Sequence, residues 1–266
     1  MLIEQGPIAG DCILRFAGIT NYQNQRLFME IVFISYPKSG RTWMRYVFHL
    51  LECPVKFTHA GHGTLTTNNR GGKPFSGLKL SVLGKKNIFL YRNPLDTAVS
   101  MYFQIHKHDP IKLSARSALS YLWMALTRGL PPKDINSFVL HPVWGMENIC
   151  RFNRAWLDYF ENRPDSLVIT YEEARKNLAA VVQQLVSFAG IAVSDVEAIV
   201  RQSDFEAMKQ LEMKGKSREL RLYGLRSGDP NTMKVRKGVV GGYLDDLDVK
   251  TIEAAREIAA RYRFEI

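Results

Sequence analysis

The chain has 266 residues, of which 46% are hydrophobic, and carries a formal net charge of +10. This length suits one α/β domain or two small ones, and the apolar content excludes a wholly disordered chain. A positive surface favours anionic partners such as nucleic acid, membrane lipid, nucleotides or acidic substrates, whereas three cysteines without a CxxC pair give little support to a disulfide framework or a zinc site.

Strands and helices alternate along the chain, which predicts a parallel sheet covered by helices on both faces. The predicted strands are 31–36, 87–91 and 166–171, with one more near Leu78–Val82. The predicted helices are 40–52, 94–107, 146–160, 175–189, 204–213 and 248–263. We interpret residues 1–266 as one three-layer domain, with an irregular segment over 1–30 and a polar, glycine-rich loop over 56–86. Ligands of such sheets bind beyond the carboxyl ends of the strands.

The location of the protein is predicted from what the sequence lacks. No apolar run approaches the ~20 residues that a membrane helix needs. The first residues, MLIEQGPIAGD, contain an early acid and no basic region of the kind that opens a secretory signal. We therefore expect a cytoplasmic protein without a transmembrane segment, in a compartment that keeps thiols reduced.

The segment YPKSGRTW, residues 36–43, joins the first strand to the first helix. A helix N-terminus presents unpaired N–H groups and a partial positive charge, so a loop that enters it is a potential anion site. Lys38 adds a positive charge there, Ser39 and Thr42 add hydroxyl donors, and Gly40 lets the backbone approach a ligand closely. A cation at Arg41 is unfavourable in a first helical turn unless an anion binds beside it or its side chain reaches water.

A magnesium-dependent P-loop is the obvious alternative for this segment. The pattern GxxxxGK[ST] is not matched, because Pro37 precedes the lysine and no glycine-rich nest comes before it. The next strand is followed by Arg92 and Asn93 and not by an aspartate that could hold Mg²⁺. We therefore predict that side-chain cations, and no metal ion, balance the charge of the bound phosphate.

The second strand leads into RNPLDTAVS, residues 92–100. Asn93 is a good N-cap, Pro94 a good first helical residue, and Asp96 is favoured in the first turn. Ser100 lies inside the helix, near enough in the chain for its hydroxyl to bind the same anion as Arg92. The plain alternative is that Arg92 pairs with a carboxylate.

A third basic segment, residues 214–237, carries eight basic residues against two acids and continues into RKGVVGGY. A run of charges is usually a solvated face, but a glycine-rich basic loop can also become ordered over a nucleotide. We interpret 214–242 as a mobile loop that covers a cofactor.

These segments resemble the motifs of sulfotransferases that use 3′-phosphoadenosine 5′-phosphosulfate (PAPS). YPKSGRTW is similar to the 5′-phosphosulfate loop of the family, which usually has Thr at the position of Arg41. RNPLDTAVS resembles the motif RNPxDxxVS, and this implies that Arg92 and Ser100 bind the 3′-phosphate. The resemblance spans residues 32–245 and implies the P-loop-NTPase-like fold of sulfotransferases.

The remaining matches concern the nucleotide. RKGVVGGY resembles RKGxxGDW, which implies that the 3′-phosphate site is completed by Arg236, Lys237 and Gly238. It departs from the family by having Gly242 for Asp and Tyr243 for Trp.

Two further segments are similar to the adenine-binding motifs of the family. VITYEEARKN resembles FYEDxxxxP and implies Tyr171 near the adenine. SDFEAMK resembles TSFxxMK, which implies that Ser203 and Phe205 contact the base, with Trp43 on its other face.

The resemblance implies in-line transfer of a sulfuryl group from PAPS to a hydroxyl, or an amine, with 3′,5′-ADP (PAP) as the product. Lys38 would stabilise the bridging oxygen, and Ser100 could hold Lys38 back until an acceptor arrives. An alcohol nucleophile needs a general base. KFTHAGH resembles the family's KTHLP segment and implies His59 as that base, although His62 stays an alternative because the Leu-Pro is missing.

Two other functions stay open at this point. One is a magnesium-dependent, P-loop-like nucleotide kinase, and the other is a non-catalytic protein that binds anions or nucleic acid through its positive charge. We expect a hydroxyl acceptor on a small molecule, lipid or carbohydrate, and no nucleic-acid partner. The dimer segment KxxxTVxxxE of cytosolic members is not found, so the oligomeric state is open.

Overall fold

The computed structural model describes residues 30–59, 77–108, 126, 129–214 and 236–266. The predictions for residues 1–29, for His62 and for most of the 214–242 loop lie outside the described residues. The single-domain interpretation of 1–266 likewise stays a prediction. Within the described part, no helix is both long enough and apolar enough to cross a membrane.

The described strands form one parallel sheet in the order β2-β1-β3-β4. Their bounds are Ile31–Ser35 for β1, Val55–Thr58 for β2, Lys86–Tyr91 for β3 and Ser166–Thr170 for β4. β1 is buried along its whole length because it has a neighbour on each side and helices above and below. This explains its continuous run of β-branched and aromatic residues.

The direction of winding reverses at β1. From β1 the chain moves to one side to form β2 and then crosses back to form β3 on the other side. The carboxyl ends of β1 and β3 therefore lie side by side at the switch point of the sheet, where doubly wound proteins bind their ligands. The two motif-bearing loops, 36–40 and 92–93, leave the sheet at this place.

The described α-helices are α1 Arg41–Leu50, α2 Pro94–Phe103, α3 Ile135–Leu140, α4 Met146–Phe160, α5 Tyr171–Lys176, α6 Leu178–Ala189, α7 Val196–Ser203, α8 Phe205–Met213 and α9 Val249–Arg261. α2 continues as a π-helical segment over Gln104–His108. Short 3₁₀ turns occupy Leu80–Val82 and Gly242–Asp245.

Two apolar clusters enclose the sheet. Val32, Ile34 and Phe89 point to one face and pack with α2, α3, α4 and α9. Phe33 and Ile88 point to the other face and pack with α1, α5, α6 and α7. Since side chains alternate between the two faces of a strand, the central strands β1 and β3 contribute to both clusters. The predicted three-layer α/β architecture with a central parallel sheet is confirmed.

Several predicted elements are wrong in detail. β2 lies partly inside the predicted 56–86 loop, and its half-buried residues lack the apolar run that marks a central strand. The strand predicted near Leu78–Val82 is a 3₁₀ turn whose Leu80 is half exposed. The predicted helix 175–189 is two helices, because Asn177 leaves the helical conformation and its side chain caps Ala180. α3 and α7 were not predicted.

Candidate active site

The loop between β1 and α1 forms an open helix N-terminus. Gly40 is the N-cap of α1 with a left-handed backbone, φ 100°, and no side chain caps the helix. The hydroxyl of Ser39 is buried beside it and has no hydrogen-bond partner. A buried polar group without a partner costs about 1–3 kcal/mol, and an anion bound at this helix N-terminus would accept that hydrogen bond.

Close packing fixes the position of this loop. A Cβ atom placed on Gly40 would lie 2.8 Å from Cδ2 of Tyr171, which follows β4. Glycine is therefore required here both for its φ and for the approach of the tyrosine ring. Arg41 and Thr42 open α1 and are partly buried.

Lys38 contacts a residue that the sequence did not indicate. Its backbone has φ 70°, in the left-handed region, and its ammonium donates to Gln104 Oε1 at 3.2 Å. Gln104 begins the π-helical segment, one turn beyond the partly buried Ser100. Such segments often occur at functional sites. A local sequence pattern could not have revealed Gln104, since its contact with Lys38 spans 66 residues.

Arg92 directly follows β3 and makes the carboxylate contact that the sequence left open as one of its two alternatives. Its Nη2 is 3.4 Å from Asp96 Oδ2 and donates to the carbonyl oxygen of Val239 at 3.1 Å. Its guanidinium carbon lies 4.4 Å from the centre of the Tyr171 ring. The Nε–H is buried and has no partner. Arg92 is thus paired with a carboxylate and still has a donor available to a ligand.

Asp96 connects the start of α2 to the C-terminal glycine-rich segment. Its side chain is buried and accepts hydrogen bonds from the amides of Gly241, at 2.9 Å, and Tyr243, at 3.1 Å. The sequence predicted only a favourable position in the first helical turn. The tertiary role was missed because the two segments are far apart in the chain.

Arg236 lies beside the C-terminal end of α2, and the side chain of the next residue, Lys237, lies near Gly242. Both contact Asp246 Oδ2, at 3.2 and 2.9 Å, and Lys237 also contacts Asp245. The Arg236 guanidinium lies 3.9 Å from the ring centre of Phe103. The segment from 236 to 241 therefore runs alongside α2, from Phe103 back to Arg92 and Asp96.

The aromatic residues predicted to hold the base lie together. The Trp43 ring packs edge-on against Tyr171, with 5.7 Å between ring centres, and its indole N–H donates to the carbonyl oxygen of Ser203 at 2.6 Å. The Ser203 hydroxyl is already used, because it donates to the Ile199 carbonyl oxygen. Phe205 packs against Gly238, where any Cβ atom would collide with the ring.

The backbone conformation is a second reason for glycine at position 238, since its φ of 63° lies in the left-handed region, which other residues rarely adopt. The glycine predicted in the phosphate motif is therefore necessary for packing against the aromatic pocket.

His59 follows β2 and lies at the same edge of the sheet. Its Nδ1 is 2.7 Å from the carbonyl oxygen of Ser35, the last residue of β1. A carbonyl oxygen can only accept, so Nδ1 carries the proton and Nε2 is the basic nitrogen. The structure thus brings His59 next to the loop that carries Lys38. Among the residues that the structure describes, no three His, Cys, Asp or Glu side chains cluster as a metal site.

Comparison with known proteins identifies the class to which this fold and site belong. The model of the sulfotransferase domain family matches residues 73–262, well over half of the chain. The chain therefore belongs to the sulfotransferase domain family, and the enzyme class predicted from the sequence is confirmed.

Individual relatives are distant but cover most of the chain. Cytosolic sulfotransferase 14 of Arabidopsis thaliana is 25% identical, over 88% of this chain and 76% of that protein. Sulfotransferase 2A2 of Mus musculus is 23% identical, over 85% and 81%.

Solved structures share the fold. Mouse sulfotransferase SULT7A1 complexed with PAP has a TM-score of 0.56 at 21% identity, covering 89% of this chain and 86% of that one. Retinol dehydratase in complex with androsterone and inactive cofactor PAP has a TM-score of 0.57 at 15% identity, covering 89% and 82%.

Proposed function

We propose that the protein transfers the sulfuryl group of PAPS to a hydroxyl group of an acceptor and releases 3′,5′-ADP. The observation that most supports this proposal is a pair of buried hydrogen-bond donors that have no acceptor, Ser39 Oγ after β1 and Arg92 Nε after β3. They lie at the carboxyl ends of neighbouring strands. A nucleotide with one phosphate group on each side of its ribose would satisfy both donors, and PAPS is such a nucleotide.

The proposed 5′-phosphosulfate site consists of the open N-terminus of α1 with Lys38, Ser39, Gly40, Arg41 and Thr42. Backbone N–H groups and hydroxyls would bind the phosphosulfate oxygens. Sulfuryl transfer resembles phosphoryl transfer, so catalysis is mostly positioning and stabilisation of charge on the leaving oxygen. Lys38 is the cation that we propose for this role.

The contact of Lys38 with Gln104 affects when the Lys38 ammonium can reach the leaving oxygen. The ammonium donates to the Gln104 side chain, so this hydrogen bond must break or be shared when Lys38 turns to the leaving oxygen. We propose that Gln104, and not Ser100 alone, holds Lys38 before transfer. Ser100 then stays in its proposed role at the 3′-phosphate.

The proposed 3′-phosphate site consists of Arg92, Ser100, Arg236, Lys237 and Gly238. Arg236 and Lys237 share Asp246, so a bound phosphate would compete with that carboxylate for both cations. The backbone of the 236–242 segment is held by Asp96. This arrangement supports the proposal that the larger segment 214–242 covers the bound nucleotide.

The adenine is proposed to bind among Trp43, Tyr171 and Phe205, next to the backbone of Ser203. Three aromatic rings offer the apolar surface that a purine needs.

We propose His59 as the general base. Its protonated Nδ1 is held by Ser35, which leaves Nε2 as the nitrogen that would take a proton from the acceptor hydroxyl. His62 is the alternative base, and separate alanine variants of the two histidines distinguish between them. Of the acceptors left open by the sequence, we propose a small molecule, because a neighbour of the same fold forms a complex with androsterone. We propose the cytoplasm as the location, because a relative is named as cytosolic.

Calorimetric titration with 3′,5′-ADP, in the presence and absence of EDTA, tests the proposed nucleotide-binding site. We expect micromolar or tighter binding that EDTA does not change, because side chains and not a metal ion supply the positive charge. No binding, or binding that depends strictly on Mg²⁺, would contradict the proposal, and the Mg²⁺ requirement alone would favour the kinase alternative.

A further inference from the structure

Arg175 lies in the aromatic pocket, although no motif drew attention to it. It is in the last turn of α5, and its side chain is partly buried. The guanidinium carbon lies 5.2 Å from the ring centre of Phe205 and 6.0 Å from that of Trp43. These are two of the rings proposed to hold the adenine.

Among the residues that the structure describes, none accepts a hydrogen bond from the guanidinium of Arg175. Within the described residues, its recorded contacts are these two rings, with no carboxylate in ion-pair distance and no carbonyl accepting from it. Arg92 and Arg236, in contrast, are paired with Asp96 and Asp246. A ring face attracts a cation but accepts no conventional hydrogen bond from its five N–H groups.

The charge of Arg175 is directed toward the same pocket. Burial raises the pKa of the Tyr171 phenol, and the positive charges of Arg92 and Arg175 both oppose that shift. Arg175 is thus near enough to Tyr171 to act on it, while Arg92 reaches the same ring from the side of the phosphate site.

We propose that Arg175 contacts the base of the bound nucleotide and contributes to its selection. This inference rests on the proposed function. Adenine has ring nitrogens that accept hydrogen bonds and a face that stacks, and a planar guanidinium can donate to the former or lie against the latter. Arg175 contacts no other polar group among the described residues, so its donors are available for the purine edge.

The competing explanation is general electrostatics, in which any positive charge near the site attracts an anionic nucleotide. The neighbouring Lys176 provides a matched control. It has the same charge, belongs to the same last helical turn and is exposed. Replacing either residue with methionine removes one positive charge from the C-terminal end of α5, so both variants lose the same favourable interaction with the helix dipole.

The experiment compares two ligands by calorimetry, 3′,5′-ADP and the base-free analogue ribose 3,5-bisphosphate, with the second measured by displacement at millimolar concentration. We expect Arg175→Met to weaken binding of 3′,5′-ADP by about tenfold, the usual effect of losing one charged hydrogen bond. Binding of the base-free analogue should be unchanged. Lys176→Met should leave both affinities within about twofold, since exposed charges act weakly through water.

Equal losses for the two ligands, or an unchanged affinity of Arg175→Met for 3′,5′-ADP, would overturn the inference while leaving the proposed function intact. Failure of the wild-type protein to bind 3′,5′-ADP would overturn the proposed function and this inference with it. If Arg175→Met does not fold, Arg175→Lys decides, because lysine keeps the charge but loses the planar fork. A several-fold loss confined to the ligand with a base is then expected.

Discussion

The carboxylate of Asp96 and the amide of Gly241 lie 145 residues apart in the chain and are joined by a 2.9 Å hydrogen bond. This bond, together with a second one to Tyr243, fastens the C-terminal glycine-rich segment to the first turn of α2. The same carboxylate faces Arg92. One buried side chain thus determines where two of the proposed phosphate-binding segments lie relative to each other.

Replacing Asp96 with alanine should damage both stability and nucleotide binding. The substitution leaves two amides and a mostly buried guanidinium without their acceptor, which we expect to cost about 3 kcal/mol of unfolding free energy. Affinity for 3′,5′-ADP should fall at least about tenfold. Urea denaturation and calorimetry measure the two effects. Glu197→Ala is the control, since Glu197 forms an exposed pair with Arg201 and should cost no more than about 1 kcal/mol.

Gly40 should tolerate no larger residue. In Gly40→Ala the new methyl group would meet Tyr171 while the backbone stays at φ 100°, so we expect a loss of about 2–4 kcal/mol from strain and overpacking together. Gly190→Ala separates backbone strain from overpacking. Gly190 also has a positive φ, 71°, but a Cβ atom added there would meet nothing within 4 Å. This variant should cost only about 1 kcal/mol. Similar losses for both variants would mean that the contact with Tyr171 is unimportant.

His59→Ala should abolish most turnover without affecting binding of the nucleotide. General-base catalysis contributes about 10²–10⁴-fold, so kcat should fall by that factor while the affinity for 3′,5′-ADP remains unchanged. His62→Ala, assayed in parallel with the same acceptor, should retain most of its activity. The assignment would be reversed if His62→Ala lost the turnover and His59→Ala kept it.

Acidification should destabilise the fold through His106. Burial lowers the pKa of this imidazole, with the charges of Lys107 and Lys133 acting in the same direction and a hydrogen bond that the imidazole donates to the Pro132 carbonyl oxygen opposing it. Below the ordinary histidine pKa, the unfolded chain therefore binds more protons than the folded one. Stability should fall as pH drops through and below about 6.5.

His106→Phe tests this prediction, because a phenyl ring preserves the packing against Tyr102 and Phe138. The difference in urea midpoint between pH 7 and pH 5.5 should be smaller in the variant than in the wild type. Burial also lowers the pKa of His141, and this second histidine would account for any pH dependence of the urea midpoint that remains in the variant. An equal change of the urea midpoint in the two proteins would show that His106 does not cause the loss of stability in acid.

The sequence predicted those parts of the fold that local patterns determine. β1 and β3 are continuous apolar runs, and α4 has a regular apolar stripe, so their bounds were predicted to within a residue or two. The fragment Asn93–Pro94 encodes its own helix start, and the structure confirms the cap. β2 was missed because its strand conformation depends on pairing with β1 and not on its own four residues.

The same distinction applies to the site. The motifs contained Lys38 and Arg92, since the loops that follow buried strands are recognisable from the sequence. Gln104, Asp246 and Arg175 were not predicted, because each acts through a contact that only tertiary packing creates. The pairing of Arg236 with a carboxylate likewise could not be read from a run of basic residues.

Incubation with ³⁵S-labelled PAPS and a panel of hydroxylated acceptors in EDTA tests the central claim most directly. The wild-type protein should move the label to at least one acceptor and form 3′,5′-ADP in equal amount. Lys38→Ala should bind 3′,5′-ADP nearly as well as the wild type but transfer at least about a hundredfold less label, because it lacks the charge at the leaving oxygen. Label that stays on the nucleotide with every acceptor, or undiminished transfer by Lys38→Ala, would contradict the account.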